Sequence, residues 1–403
     1  MRPGLAVTLL ALASSAAAPA PAPLRLGIDG VQNANVSIAA AGRRAVVTWA
    51  VRTQDATDIY ASFSSDGGAS FGTPVRVNDV PGDARASGEQ APRVAIGSSV
   101  EVAWNSRQGG TSVVRSATAS GEKFAPAAMV HAAGLEGARG WASMALAADG
   151  AAHVAWLDGR VNTPSADGKA PAARHAMQQD LFHAVRRPDG TREEVRVASD
   201  VCFCCKTATA TGPDGVVYVA WRHIFPPNIR DMAVARSTDG GRTFGDPVRL
   251  SEDGWAIDAC PDDGPSIAVD ARNVLHAAWP TQVSAAAGRA VFYSWSTDGG
   301  KTFAPRVRVD GETGTPAHPQ LALAGDRVAI VWDESGGTGP RRIRLREVST
   351  GAGRAPALEA LSTLSSRAAA TYPAVAALAD ATLVAWTEES GKGSDVRVLR
   401  LPR

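Results

Sequence analysis

The chain lacks an excess of either charge. Its 403 residues carry 41 lysines and arginines against 40 aspartates and glutamates, a formal net charge of +1. That balance supplies no long-range field for nucleic acid or an anionic membrane surface, so any specificity must come from a local site. Long hydrophobic runs are also missing: no stretch approaches the roughly 20 apolar residues of a spanning helix. Helical periodicity is scarce, because Gly, Pro and Asp interrupt the chain about every 8 to 12 residues, the interval of short antiparallel strands. The sequence contains no glycine-rich nucleotide loop and no H-E-x-x-H. Cysteine is nearly absent, with four residues in the whole chain.

The N-terminus reads as an export signal. Arg2 gives a positive start, Leu5 to Ala13 is a short apolar run, and Ser14 to Ala18 offers small residues for cleavage. Residues 1–18 are therefore expected to be a signal peptide and 19–23, Pro-Ala-Pro-Ala-Pro, a stiff spacer. Residues 24–403 are read as a single domain, periplasmic or extracellular. A mature chain this long exceeds the roughly 250–300 residues at which single cores stop growing, but a repeat architecture removes that limit.

The repeat is visible. An apolar strand ending in Trp recurs at Trp49, Trp104, Trp156, Trp221, Trp279, Trp332 and Trp386, with spacings of 55, 52, 65, 58, 53 and 54 residues. Such a period with several short strands predicts an all-β propeller of four-stranded antiparallel blades. Seven blades are expected, with six plus an irregular repeat as the alternative. In the fourth repeat the strands are expected at Thr207–Thr211, Val216–Trp221, Asp231–Ser237 and Pro247–Leu250. The last repeat runs out of chain after three strands, so Leu24–Ile28 is expected to supply its fourth and tie the ring shut.

Three segments share the pattern S-x-D-x-G-x-[ST]-[FW]: Ser64 to Phe71, Ser237 to Phe244 and Ser296 to Phe303. An Asp followed by Gly-Gly makes a tight turn whose carboxylate accepts backbone N–H groups. On these motifs the chain resembles the Asp-box (bacterial neuraminidase repeat) propellers, the superfamily that includes sialidases. The resemblance implies a structural role for the boxes, opposite the loops that ring the central funnel.

The funnel loops collect charge. After the strand-ending Trp come Arg52, Arg107, Asp158 with Arg160, Arg222 with His223, Asp333 with Glu334, and Glu388 with Glu389. Before each first strand come Glu89, Arg139, Asp262 with Asp263, His318 and Tyr372. Sialidases hold an anionic sugar with arginines and cleave it with a Tyr nucleophile helped by carboxylates. The resemblance therefore implies Arg52, Arg107, Arg160 and Arg222 as a carboxylate clamp, Asp158 as acid/base, and Tyr372 with Glu388 as nucleophile pair, acting on an acidic glycan.

The cysteines support a different chemistry. Cys202, Cys204, Cys205 and Cys260 fall in loops that precede the first strands of adjacent repeats. They could form two disulfides, a thiolate site for Cu or Zn with His223 or His318 as an extra ligand, or a redox-active pair. Three functions stay open: a glycan-directed propeller, a thiolate metal or redox protein, and a propeller that binds a protein partner.

Overall fold

A computed structural model of the protein describes residues 22–403 except 133, 135–136, 163–177, 260, 285, 313, 337, 352–355, 366–367 and 392. The expected signal peptide and Cys260 lie outside the described residues, as does most of the long loop after Asp158. No described helix is long and apolar enough to cross a membrane.

The described chain is all-β, built of consecutive antiparallel meanders. The fourth repeat gives Ala208–Thr211, Val217–Arg222, Met232–Ser237 and Val248–Arg249, paired in that order. These strands lie within a residue or two of the expected spans. In the last repeat Ala370–Ala377, Ala381–Ser390 and Gly393–Pro402 pair in order, and Leu24–Leu26 adds antiparallel to the third, Leu24 opposite Val398. The first strand of each meander lies against the first strand of the next. Ala370–Ala377, the first strand of the last meander, lies against Gln32–Ala41, the first strand of the first.

Each second strand is the core of its meander. Ala152–Asp158 and Val217–Arg222 are buried at every position, since they carry neighbours on both faces. The seven periodic Trp residues are at most 1% exposed, so each is a core residue. Burying an indole also buries its N–H, which then needs an acceptor. Six of the seven have one: Trp49 donates to Asn33 (3.0 Å), Trp156 to Asp158 (2.9 Å) and Trp221 to His223 (3.2 Å). Trp279 donates to Asp253 (2.7 Å), Trp332 to Glu334 (3.0 Å) and Trp386 to Glu388 (3.4 Å). Trp104 Nε1 is buried without a partner.

The three Ser-x-Asp-Gly-Gly turns are built alike. In the second, Ser237 Oγ donates to Asp239 (2.6 Å) and accepts from Gly241 N (2.8 Å), while Thr243 N and Oγ both donate to the Asp239 carboxylate. Gly240 and Gly241 sit at φ +73° and +86°, the left-handed region that favours glycine. Phe71, Phe244 and Phe303 fold back onto the adjoining cores.

Candidate functional site

Four of the first strands carry the same distortion at the opposite end of the meander. Their ladders slip at Ala34/Ser37, Gly140/Ser143, Ala317/Gln320 and Thr371/Ala374. Within each slip sits one residue at positive φ: Asn35, Trp141, His318 or Tyr372. A bulge of this kind re-aims a side chain out of the ladder. Because these first strands lie side by side, the re-aimed residues gather at one mouth.

His318, Tyr372 and Asp333 are the centre of that gathering. Asp333, fully buried, accepts from His318 Nδ1 (2.7 Å) and from the Tyr372 backbone N–H (2.8 Å), and is paired with Arg341. The His318 and Tyr372 rings lie 4.2 Å apart between centroids. The His318 backbone N–H in turn donates to both oxygens of Asp263 (3.0 and 3.1 Å). Gly88 closes the group from the other side. A Cβ there would stand 3.5 Å from an Asp262 carboxylate oxygen and 3.7 Å from the Tyr372 hydroxyl, so both polar ends converge on a residue without a side chain.

A buried ion pair underlies this mouth. Lys206 and Glu89 side chains are each 2% exposed and in direct contact. Lys206 Nζ also donates to Gly264 O (2.9 Å), and Gly264 N donates to Glu89 (2.8 Å).

Burial and neighbouring charge shift the titrating groups. Burial pushes the Tyr372 phenol up to about 12, with Asp262, Asp333, Glu89 and Asp263 adding to it. Burial would lower His318, but the facing carboxylates, Asp333 first, outweigh it and hold the imidazole above its ordinary range. Burial and the Glu89 charge push Asp263 up to about 6, and burial raises Asp262 as well. Tyr372 and His318 are half-buried and Asp262 is exposed, so the group opens to solvent.

Of the residues singled out from the sequence, the structure brings together Tyr372, His318, Asp262, Asp263, Asp333 and Glu89. Of the others, Arg222 touches this group through the Asp263 carbonyl (2.8 Å). Asp158, fully buried, accepts from Trp156, Arg139 and Arg160. Glu388 accepts from Trp386 and from Arg397 (2.8 Å). The four clamp arginines hold separate posts. Arg52 donates to Asn35 and Ala86 O; Arg160 is committed to Asp158 and Glu194. Arg222 gives its terminal donors to the carbonyls of Arg230, Asp263 and Pro280, while Arg107 is exposed. Lys206 is not among the residues that stand out in the sequence, although its spacing carries a signal: it precedes Trp221 by 15 residues, as Trp141 precedes Trp156.

The cysteines form a second group just below. Cys202, Cys204 and Cys205 are 0%, 3% and 1% exposed, and their sulfurs lie within 4.8 Å of one another. Cys202 and Cys205 are free thiols, and Cys204 is disulfide-bonded. Arg230 donates to Cys202 Sγ (3.2 Å), and Ile224, Trp141 and Phe203 pack around the sulfurs. The adjacent His223 instead holds the Trp221 indole and stacks edge-on with Phe225 at 4.5 Å.

No family model matches this sequence, and no curated protein is similar to it. Solved structures do share its fold. The polysaccharide lyase Uly1 superposes with a TM-score of 0.54 at 11% identity, over 91% of this chain and 90% of that one. The phage phi92 endosialidase gives 0.52 at 11% identity, over 95% and 69%. A Trypanosoma rangeli sialidase mutant displaying trans-sialidase activity gives 0.52 at 11% identity, over 95% of this chain and 60% of its own. The fold is thus the sialidase-like β-propeller, and at these identities the likeness extends to the fold alone.

Proposed function

We propose that the protein is an exported, seven-bladed propeller, its ring closed by Leu24–Leu26, that cleaves acidic glycans at the mouth formed by Tyr372, His318 and Asp262. The observation that carries this is the single carboxylate of Asp333 fixing both His318 and the Tyr372 backbone, with the two rings in contact. Positioned acid–base groups on an open face are what glycosidic cleavage needs. Tyr372, held in its protonated form by burial and four carboxylates, hands its proton to the departing sugar oxygen as a solvent water adds to the sugar carbon; exposed Asp262 beside it takes that water's proton and returns it to the Tyr372 phenolate. His318, raised above its ordinary range, presents a cationic ring to the anionic group of the substrate, with Nδ1 anchored on Asp333. This assigns to one imidazolium the task first given to four arginines.

The test is a panel of sialosides and anionic polysaccharides incubated with the mature protein, with products identified by mass spectrometry. Turnover of at least one, lowered about 100-fold or more by Tyr372→Phe at unchanged melting temperature, is the expected result. No turnover across the panel, or full activity in Tyr372→Phe, sinks the proposal.

A further inference from the structure

We propose that Cys202, Cys204 and Cys205, once Cys204 is released from its disulfide, form a three-thiolate site for one monovalent copper ion beneath the funnel mouth. The site is independent of the glycan chemistry above it.

Geometry is the first support. Metal–thiolate bonds of about 2.3 Å in a trigonal set place the sulfurs about 4 Å apart. Cys202 Sγ and Cys204 Sγ are 3.9 Å apart, and the third sulfur completes a set within 4.8 Å. The strand Arg192–Cys202 ends at the first cysteine, so the next three residues turn back and deliver the other two sulfurs to the same point.

Charge selects the ion. All three sulfurs are buried, so the loaded site must be close to neutral with its surroundings. Three thiolates around a monovalent cation leave two negative charges. Two guanidinia are there to offset them. Arg230 is 2% exposed and contacts Cys202; Arg222 is 1% exposed and lies close enough for its charge to act on both Cys202 and Cys205. The Nε groups of both arginines are buried without an acceptor, an excess of positive character that a thiolate–metal complex balances. A divalent ion would leave the region positive. Soft sulfur donors also select monovalent copper over harder ions.

The redox step balances with an external dithiol. Two electrons from the dithiol break the disulfide at Cys204; the dithiol becomes a disulfide, and its two protons pass to Cys204 and the sulfur it leaves. Copper then displaces the protons of the three thiols.

The test uses the mature protein, reduced anaerobically with excess dithiol, freed of it, and titrated with monovalent copper against bicinchoninate as a coloured competitor. The reduced chain is expected to hold one copper and the air-oxidised chain none. Arg230→Met should weaken retention by about 10- to 100-fold, as loss of an outer-shell partner does. Tyr372→Phe should retain copper in full, which separates this site from the glycan reading. The proposal is overturned if the reduced chain holds no more copper than a Cys202→Ser/Cys205→Ser variant. It is equally overturned if the oxidised chain holds as much as the reduced one, or if zinc is retained and copper is not.

Discussion

The two ends of the meanders solve the same problem in opposite ways. At the Ser-x-Asp-Gly-Gly turns, each carboxylate is satisfied inside its own loop, by partners two to four residues away, and the arrangement repeats at Asp66, Asp239 and Asp298. At the funnel mouth, each repeat offers a different residue at one register and finds its partner in another repeat. Glu89 reaches Lys206 across 117 positions and Gly264 across 175; Asp263 meets His318 across 55, and Asp333 meets Tyr372 across 39. Local satisfaction makes a part that can be copied. Long-range satisfaction makes a part that exists only once the whole fold is assembled, which suits a site with one geometry.

The widest gap between the two ends should appear on breaking the Lys206–Glu89 pair. Lys206→Met strips the buried Glu89 carboxylate of its direct ion pair and leaves it only the longer-range charges of His318 and Arg93, a loss of about 3–5 kcal/mol. Adding Glu89→Gln should recover part of that loss, because the stranded charge is then gone. Urea denaturation of the two variants measures both effects. A Lys206→Met protein within about 1 kcal/mol of the parent would mean that the mouth does not depend on this pair.

A smaller effect sharpens the comparison through pH. His153 and His276, inside the meanders, are held down to about 4 by burial, His183 to about 3, and His223 to about 4. Their folded values lie below 6.5, so the unfolded chain binds more protons, and the stability they contribute is present above 6.5 and lost as pH falls toward 4. His318 is shifted the other way: its contribution is present below 6.5 and is lost as pH rises through its folded value. His131 is also lowered by burial, so among the described histidines five oppose one and the net is a fall. The melting temperature should drop by several degrees between about pH 6.5 and about pH 4. His153 and His183 contact each other at 3.1 Å with Asp149 and Arg187 as the charged neighbours. Replacing both with Gln should flatten the slope; His318→Gln should steepen it. A slope that both variants leave unchanged would place the acid sensitivity elsewhere.

The same contrast governs what can be read before folding. The strands of the fourth repeat, the N-terminal strand paired to the last repeat, and the turn motifs all follow from periods and local chemistry, and they were legible. The mouth was half legible: Tyr372, His318, Asp262 and Glu89 stand out in sequence as polar residues expected before first strands, although His318 and Tyr372 prove to lie within theirs, in the bulges of Thr315–Ala324 and Ala370–Ala377. Their convergence depends on bulges and on neighbours from other repeats, which no spacing displays. Asp158, His223 and Glu388 show the converse. A polar residue two positions after a core Trp resembles a funnel residue in sequence, yet in all three it serves the indole N–H of that Trp. Need for an acceptor at a buried indole is a strong enough demand to account for them.

The smallest effect is expected at the turns, and it tests whether they are as self-contained as their bonds suggest. Asp239 accepts from Ser237, from the backbone of Arg242 and Thr243, and from the Thr243 hydroxyl. Asp239→Ala removes these together, but the loop is at the surface and water replaces part of what is lost. A capping-type loss of about 1 kcal/mol is the expected cost. None of it should reach the mouth, because the partners of the Asp239 carboxylate, Ser237, Arg242 and Thr243, all lie in its own turn. Melting temperature should fall slightly while turnover by the Tyr372 group and copper retention by the cysteines stay unchanged. A loss of either activity in Asp239→Ala would show that the turns transmit strain along the meander, and that the division between a copied frame and a single assembled site does not hold.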